Sequence, residues 1–138
     1  MPDTPRLRVP ADLASLDAAI AFARRAAEES GLPEECFGNV DLVVEEIFVN
    51  IVRYAYPDGK DGVVEISDSL CKPGLLSIEI SDHGAAYNPL TLREPNLPAS
   101  LNERAVGGLG ILLVRQLTKA LHYNRDGEWN RLRFEISI

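Results

Sequence analysis

The sequence is poor in the residues that build metal centres and covalent cross-links. It contains two cysteines, Cys36 and Cys71, and two histidines, His83 and His122, which do not cluster. Two isolated cysteines outside a C-x-x-C spacing are typical of small core residues in a reducing compartment. The composition therefore argues against a disulfide scaffold and a zinc site, and we expect a cytoplasmic protein.

Long apolar runs and an excess of positive charge are also absent. No stretch approaches the length needed to cross a membrane, and residues 1–10 lack the apolar stretch of a secretory signal. Acidic side chains number 21 and basic side chains 14, which gives a formal net charge of −7. Because nucleic acids and anionic membranes are bound through clustered Lys and Arg, neither is expected as the main partner. A single nucleotide remains compatible, since backbone amides and a metal ion can hold its phosphates.

The first half of the chain predicts one strand and two helices. Apolar residues make up 46% of the 138 residues, which suits one core and one domain over residues 1–138. Residues 6–9 alternate and predict a short edge strand. Helical spacing predicts a first helix that ends at Ser30-Gly31, and a second helix that starts near Pro33. The apolar stripe of the first is Leu13, Leu16, Ile20 and Ala23, and that of the second is Val40, Val44, Ile47, Ile51 and Ala55.

The second half predicts two hairpins separated by a loop and a helix. The first hairpin pairs strands at about 62–70 and 74–82, and the second pairs 121–125 with 129–137. Residues 85–106 show no lasting period, and a loop of that length tends to be functional. Helices on one face of a mixed, mainly antiparallel sheet follow as the natural packing, an α+β two-layer sandwich.

Three short motifs carry the candidate chemistry, and the first lies on the second helix. Glu46, Asn50 and Arg53 are four and three residues apart, so they share one helix face. Asn offers a neutral oxygen ligand to Mg²⁺, and Glu can accept a proton from a nearby hydroxyl. Taken alone, the same spacing is more typical of a solvated helix face with an incidental i,i+4 pair.

The second motif follows the first predicted hairpin, where Asp82 and Gly84 form an Asp-x-Gly sequence. An Asp at a strand end can accept a hydrogen bond from an exocyclic amine such as N6 of adenine, and a glycine lets backbone approach a flat base. A plain turn has the same sequence.

The third motif is Gly107-Gly108-Leu109-Gly110, at the start of an apolar helix. Free amides and the helix dipole favour phosphate at such a position, although glycines also occur there for packing reasons. No Lys follows as in a P-loop, and no strand precedes it immediately as in a dinucleotide-binding fingerprint.

In this order, the three motifs resemble the N box and the two glycine boxes of the GHKL ATPase family, which includes gyrase, histidine kinases and MutL. The chain looks most like the stand-alone serine kinases that act as bacterial anti-sigma factors, of the RsbW/SpoIIAB type. The segments VVEEIFVNIVRYAYP, ISDHGAAYNP and GGLGILLVRQL carry this likeness. The resemblance implies the Bergerat fold, with a nucleotide pocket for ATP and ADP.

The resemblance also implies a role for each motif residue. Asn50 would bind Mg²⁺, Glu46 would be the catalytic base, and Asp82 would bind the adenine amine with Gly84 beneath the base. Residues 90–106 would form an ATP lid, and the segment Gly107, Gly108, Leu109 and Gly110 would meet the phosphates. Arg53 would either reach a phosphate or form an exposed salt bridge. One departure is Tyr54, which stands where relatives of this type often carry His.

The implied function is that of an anti-sigma regulatory factor with serine/threonine kinase activity. It would phosphorylate an anti-anti-sigma protein with a STAS domain, and in its other binding state sequester a sigma factor. A homodimer is expected by the same resemblance. An ATP-gated binding module without catalysis is the alternative, and the catalytic half of a histidine kinase is disfavoured because the chain lacks a dimerisation helix pair.

Overall fold

A computed structural model describes residues 5–56, 62–69, 72–86, 88–91 and 109–137. Within these residues the chain forms five β-strands and three α-helices in the predicted order. The strands are β1 (Arg6–Pro10), β2 (Val63–Asp68), β3 (Leu75–Asp82), β4 (Ala120–Asp126) and β5 (Trp129–Ser137). The helices are α1 (Leu16–Glu29), α2 (Phe37–Asn50) and α3 (Leu109–Leu117).

The five strands form one sheet in the order β1-β2-β3-β5-β4. All four pairings between these strands are antiparallel, and both predicted hairpins are present as β2–β3 and β4–β5. Strand β1 lies at the edge beside β2, as the alternation at 6–9 predicts. This antiparallel sheet, with the helices in a second layer, confirms the predicted α+β two-layer sandwich.

Helix α2 lies at the centre of the core and packs against both α1 and α3. Its predicted stripe is confirmed, because all five of the side chains are buried. The stripe meets alternate apolar positions of the central strands, where Ile66, Ile78 and Phe134 are fully covered. Burial of such side chains, at roughly 25 cal/mol per Å² of apolar surface, is the main favourable term for the fold.

The prediction for α1 is partly wrong. Leu13 is 61% exposed, because it lies in a short 3₁₀ turn that precedes the helix. Asp12 caps that turn by accepting a hydrogen bond from the Ser15 amide at 3.1 Å. The other three members of the predicted stripe face the core, since Ala23 is buried and Leu16 and Ile20 are partly buried against it. The buried face of α1 also includes the alanines 19, 26 and 27. The predicted end is correct, since Gly31 has φ +82° just after the helix.

The end of α2 differs from the regular helix predicted to residue 55. Beyond Asn50 the chain forms a wider, π-helical turn at Ile51–Ala55. Such turns are rare and occur frequently at functional sites. Ile51 and Ala55 remain buried, so the wider turn preserves the apolar stripe while it changes where the following residues lie.

The opposite face of the sheet is polar, which is common for an antiparallel sheet with helices on one side. Glu65 on β2 forms ion pairs with Arg6 at 3.3 Å and with Arg8 at 3.4 Å, both on β1. The two arginines are largely exposed, so these pairs contribute little to stability. The candidate chemistry is accordingly on the helical side.

Candidate functional site

A cleft opens between α2, the first turn of α3 and the ends of β3 and β5. Most of its lining is apolar, and the polar members are Asn50, Asp82, Tyr123 and Asn130. Apolar walls with a few convergent polar groups are typical of a small-molecule site. The apolar lining is formed by Ile47, Ile51, Ile80, Pro89, Ile111 and Leu132.

Asp82 is the buried acid of this cleft, with 3% of its surface exposed. Its Oδ1 atom accepts hydrogen bonds from the Gly84 amide at 2.9 Å and from Asn130 Nδ2 at 2.8 Å. Both donors meet the same oxygen, and no described residue donates to Oδ2. A carboxylate has lone pairs on both oxygens, so Asp82 retains the capacity to accept from a ligand.

Asn130 holds the turn that follows β3. Its Nδ2 also donates to the Ala85 carbonyl at 2.9 Å, while its Oδ1 accepts from Tyr123 Oη at 2.5 Å and from Arg125 at 3.2 Å. Because its Nδ2 faces acceptors and its Oδ1 faces donors, the orientation of the Asn130 amide is fixed. Arg125 additionally donates to the Gly84 carbonyl at 2.9 Å. The network therefore positions Asp82 without using its second oxygen.

The electrostatic balance at Asp82 follows from its burial. Desolvation raises the pKa of this carboxyl above its ordinary value, because burial disfavours the charged form. The hydrogen bonds from Asn130 and Gly84, and the charge of Arg125, act in the opposite direction. The carboxylate is thus held in an environment where a further hydrogen-bond donor is favourable.

Replacing Asn130 with alanine is expected to lower the free energy of unfolding by about 1–3 kcal/mol, because buried polar partners lose their hydrogen bonds. Urea unfolding at constant m-value measures this change. Asn124→Ala, at an exposed position of β4, is the matched control and should have little effect. Equal losses in the two variants would contradict the role assigned to the network.

The turn after β3 is also bound to the end of α2. The Ala85 amide donates to the Ala55 carbonyl at 3.0 Å, and the His83 amide donates to Tyr56 Oη at 3.0 Å. A side chain at Gly84 would overlap the Ala55 carbonyl oxygen and lie 2.7 Å from its carbon. Glycine is therefore required at position 84 by backbone packing, whatever it does for a ligand.

Asn50, at the last position of α2, is 3% exposed and lines the same cleft as Asp82. Its Nδ2 atom is buried and has no hydrogen-bond partner among the described residues. Buried polar groups nearly always have a hydrogen-bond partner. An unpaired amide nitrogen in a cleft therefore points to a ligand that accepts its hydrogen bond. The structure thus brings together Asn50 and Asp82, which are 32 positions apart in the printed sequence.

Glu46 lies one turn before Asn50 and is half-buried. Burial raises the pKa of its carboxyl, Glu45 raises it further, and Arg53 lowers it. Arg53 is exposed in the π-helical turn, near enough to act electrostatically on Glu46. The partly buried Tyr54 lies in the same turn. Neither Glu46 nor Arg53 lines the apolar cleft itself.

The glycine-rich motif is described only from Leu109, the first residue of α3. Gly110 lies in the first turn of α3, where its Cα faces the Glu46 carboxylate. Gly107, Gly108 and residues 92–106 of the predicted lid lie outside the described residues. The predicted lid begins at Leu90, within a short 3₁₀ turn at Pro89–Thr91. This turn is bound to α3, because Arg115 donates to the Leu90 carbonyl at 2.6 Å.

Sequence reasoning missed Asn130, Tyr123, Arg125 and Tyr56. Asn130 had a detectable signal, because it occupies a position of the β5 alternation that is otherwise filled by Leu132, Phe134 and Ile136. His83 is an exposed turn residue, and its ring lies 5.2 Å from that of Trp129.

A membrane-spanning helix and a metal-binding cluster are both absent from the described part of the chain. None of its helices is long and apolar enough to cross a membrane. It also holds no group of three or more His, Cys, Asp or Glu side chains arranged to bind a metal ion.

Comparison with protein families matches residues 9–136 to the histidine kinase-like ATPase domain. Serine/threonine-protein kinase BtrW of Bordetella bronchiseptica is 34% identical over 66% of this chain and 63% of its own length. Serine-protein kinase RsbW of Listeria monocytogenes is 26% identical over 66% of this chain and 60% of its own. The chain therefore spans less than two thirds of the length of these relatives.

Among solved structures, the histidine kinase domain of a blue-light-activated histidine kinase from Erythrobacter litoralis superposes with a TM-score of 0.55. It is 23% identical and covers 88% of this chain and 60% of its own. At that identity the likeness concerns the fold, and it agrees with the antiparallel sheet and the α2-centred core described above.

Proposed function

The chain belongs to the histidine kinase-like ATPase domain family, and on that premise we propose that it is an ATP-dependent serine/threonine kinase. Its substrate would be a small anti-anti-sigma protein with a STAS domain. The observation that carries the proposal is the cleft in which Asp82, with one oxygen available, lies with the buried and unpaired amide of Asn50. Two relatives, serine/threonine-protein kinase BtrW and serine-protein kinase RsbW, support the reaction class.

The base of the nucleotide would enter the apolar part of the cleft. Ile80, Ile111 and Leu132 offer flat apolar contact, and Asp82 Oδ2 accepts a hydrogen bond from the exocyclic amine of adenine. Oδ1 stays bound to Asn130 and Gly84. The carboxylate is therefore preorganised, and little ordering remains to be done when the nucleotide binds.

The phosphates would lie toward Asn50 and the start of α3. Asn50 Oδ1 would be a single oxygen ligand of Mg²⁺, since this ion usually keeps waters and phosphate oxygens as its other ligands. The unpaired Nδ2 is a donor, so it would donate to a phosphate oxygen. Bound Mg²⁺ neutralises charge on the phosphates. Arg53 and the segment Gly107, Gly108 and Leu109 are proposed as further phosphate contacts, with a lid formed by residues 90–106.

Phosphate transfer needs a group that takes the proton of the acceptor hydroxyl. Glu46 is proposed as that base. The acceptor oxygen bonds to the γ-phosphorus, the bond from that phosphorus to the oxygen of ADP breaks, and the hydroxyl proton passes to the Glu46 carboxylate. Positioning and charge stabilisation account for most of the rate in such reactions, so the location of this carboxylate is decisive.

Regulation by partner switching is proposed for the whole protein. The ATP-bound and ADP-bound forms would differ in the lid, and one of them would sequester a sigma factor. The working unit is proposed to be one domain that forms a homodimer in the cytoplasm. Strand β1 has one unpaired edge in the described sheet, which suits pairing with a second copy.

The experiment that tests this function is titration with MgATP followed by phosphate transfer to a purified STAS protein. Calorimetry measures binding, and the fluorescence of Trp129, the single tryptophan of the chain, which lies beside His83, is recorded in the same titration. Binding together with labelled phosphate on the STAS protein supports the kinase. Binding without transfer would replace it by an ATP-gated binding module, and no binding at millimolar MgATP would refute the nucleotide site.

A further inference from the structure

Gly110 faces the carboxylate that is proposed as the base. A side-chain carbon built on Gly110 would overlap Glu46 Oε2, and would lie 3.0 Å from Glu46 Cδ and 3.6 Å from Cγ. The contact joins α2 to the first turn of α3, two helices that pack together but are far apart in sequence. The carboxylate therefore occupies the space that any other residue at position 110 would fill.

A comparison with Gly38 shows that this arrangement is specific. Gly38 also lies inside a helix, and a side-chain carbon there would meet nothing within 4 Å. Glycine weakens a helix interior relative to alanine, so a helical glycine needs a separate reason. At Gly110 the reason is the space taken by Glu46.

We propose that Gly110 is a positioning residue for Glu46: its bare Cα leaves the space in which the carboxylate is held against the first turn of α3. This differs from a phosphate contact, the role predicted for Gly110 from the motif. It rests on the proposed function only in so far as Glu46 is the base. The glycine motif and the base are then mechanically coupled, because any displacement of α3 moves the wall against which the carboxylate lies.

The alanine variant is expected to fold, because the group in its way is the flexible end of a side chain and not the backbone. Gly110→Ala should turn the carboxylate away from α3 and into solvent. We would follow the titration of Glu46 by NMR of ¹³C-labelled carboxyl carbons in the wild type, Gly110→Ala and Gly38→Ala. Glu45 and Arg53, which also act on Glu46, are unchanged in all three.

In the wild type, burial holds the Glu46 pKa above its ordinary value. We expect it to fall towards that value in Gly110→Ala and to stay in place in Gly38→Ala. An unchanged Glu46 titration in Gly110→Ala would overturn the proposal. This measurement needs no nucleotide, so it tests the positioning role of Gly110 independently of the kinase function.

Kinetics supply the second readout. In Gly110→Ala, kcat for transfer should fall by about 10²-fold, as for a misplaced catalytic group, with the KM for ATP unchanged. In a Glu46→Ala background the same change should have no further effect on transfer or on ATP affinity. A loss of ATP affinity of equal size in both backgrounds would show that Gly110 contacts the nucleotide, and would overturn the positioning role. A shifted Glu46 titration in a protein without transfer would sustain the positioning role and refute the kinase.

Discussion

Replacing Glu46 with glutamine is expected to slow phosphate transfer by roughly 10²–10⁴-fold, the usual contribution of a positioned base. Glutamine has nearly the same shape, so the contact with α3 is retained while the proton acceptor is lost. ATP affinity should be nearly unchanged, because Glu46 does not line the apolar cleft. Single-turnover transfer from labelled ATP, with binding measured separately by calorimetry, distinguishes the two effects.

The pH dependence of the transfer rate is a second test of Glu46 as the base. Because burial raises the pKa of this carboxyl, its basic form is lost at a higher pH than for an ordinary glutamate. The transfer rate of the wild type should rise as pH increases through that pKa, and this rise should be missing in Glu46→Gln. Glu35→Gln, an exposed position before α2, serves as control. Full transfer by Glu46→Gln would exclude Glu46 as the base.

Replacing Asp82 with asparagine is expected to weaken ATP binding by about 1–3 kcal/mol, or about 5–150-fold. The new side chain would keep an oxygen for Gly84 and Asn130 but would present an amide nitrogen to the adenine amine, where an acceptor is needed. Calorimetry with MgATP measures the loss. Asp68→Asn, on β2 and outside the cleft, removes the same charge and should leave affinity unchanged.

The same substitution is expected to raise the melting temperature of the ligand-free protein. The pKa of Asp82 is raised in the folded state, so its contribution to the free energy of unfolding is present below the ordinary pKa and is lost as pH rises through the raised value. At neutral pH the ionised carboxylate therefore costs stability, and a neutral amide removes that cost. A lower melting temperature with intact ATP binding would contradict both parts of the expectation.

Much of the fold was predictable because its signals are local. The stripe from Val40 to Ala55 and the alternation of β3 and β5 each fix which face of an element is buried. The prediction was wrong where one local sequence pattern is compatible with two structures. Leu13 continues the helical spacing of α1, yet the chain forms a capped 3₁₀ turn there and exposes it.

The site was predictable to a smaller extent, because its parts meet only in three dimensions. The order of the motifs suggested that Asn50 and Asp82 share a pocket, and they line the same cleft. Nothing in the sequence indicated that Asn130 would hold Asp82 in place, although its position in an apolar alternation marked it as unusual. The proximity of Gly110 to Glu46 depends on how two distant helices cross, which periodicity does not encode.

The π-helical turn has a consequence for how the cleft can move. It brings the Ala55 carbonyl and the Tyr56 hydroxyl to the amides of Ala85 and His83, so the end of α2 and the turn after β3 are fastened together by hydrogen bonds to backbone amides. Along the chain, Asn50 comes directly before the π-helical turn, and Asp82 comes directly before His83. These hydrogen bonds therefore limit how far Asn50 and Asp82 can move apart when the cleft is occupied.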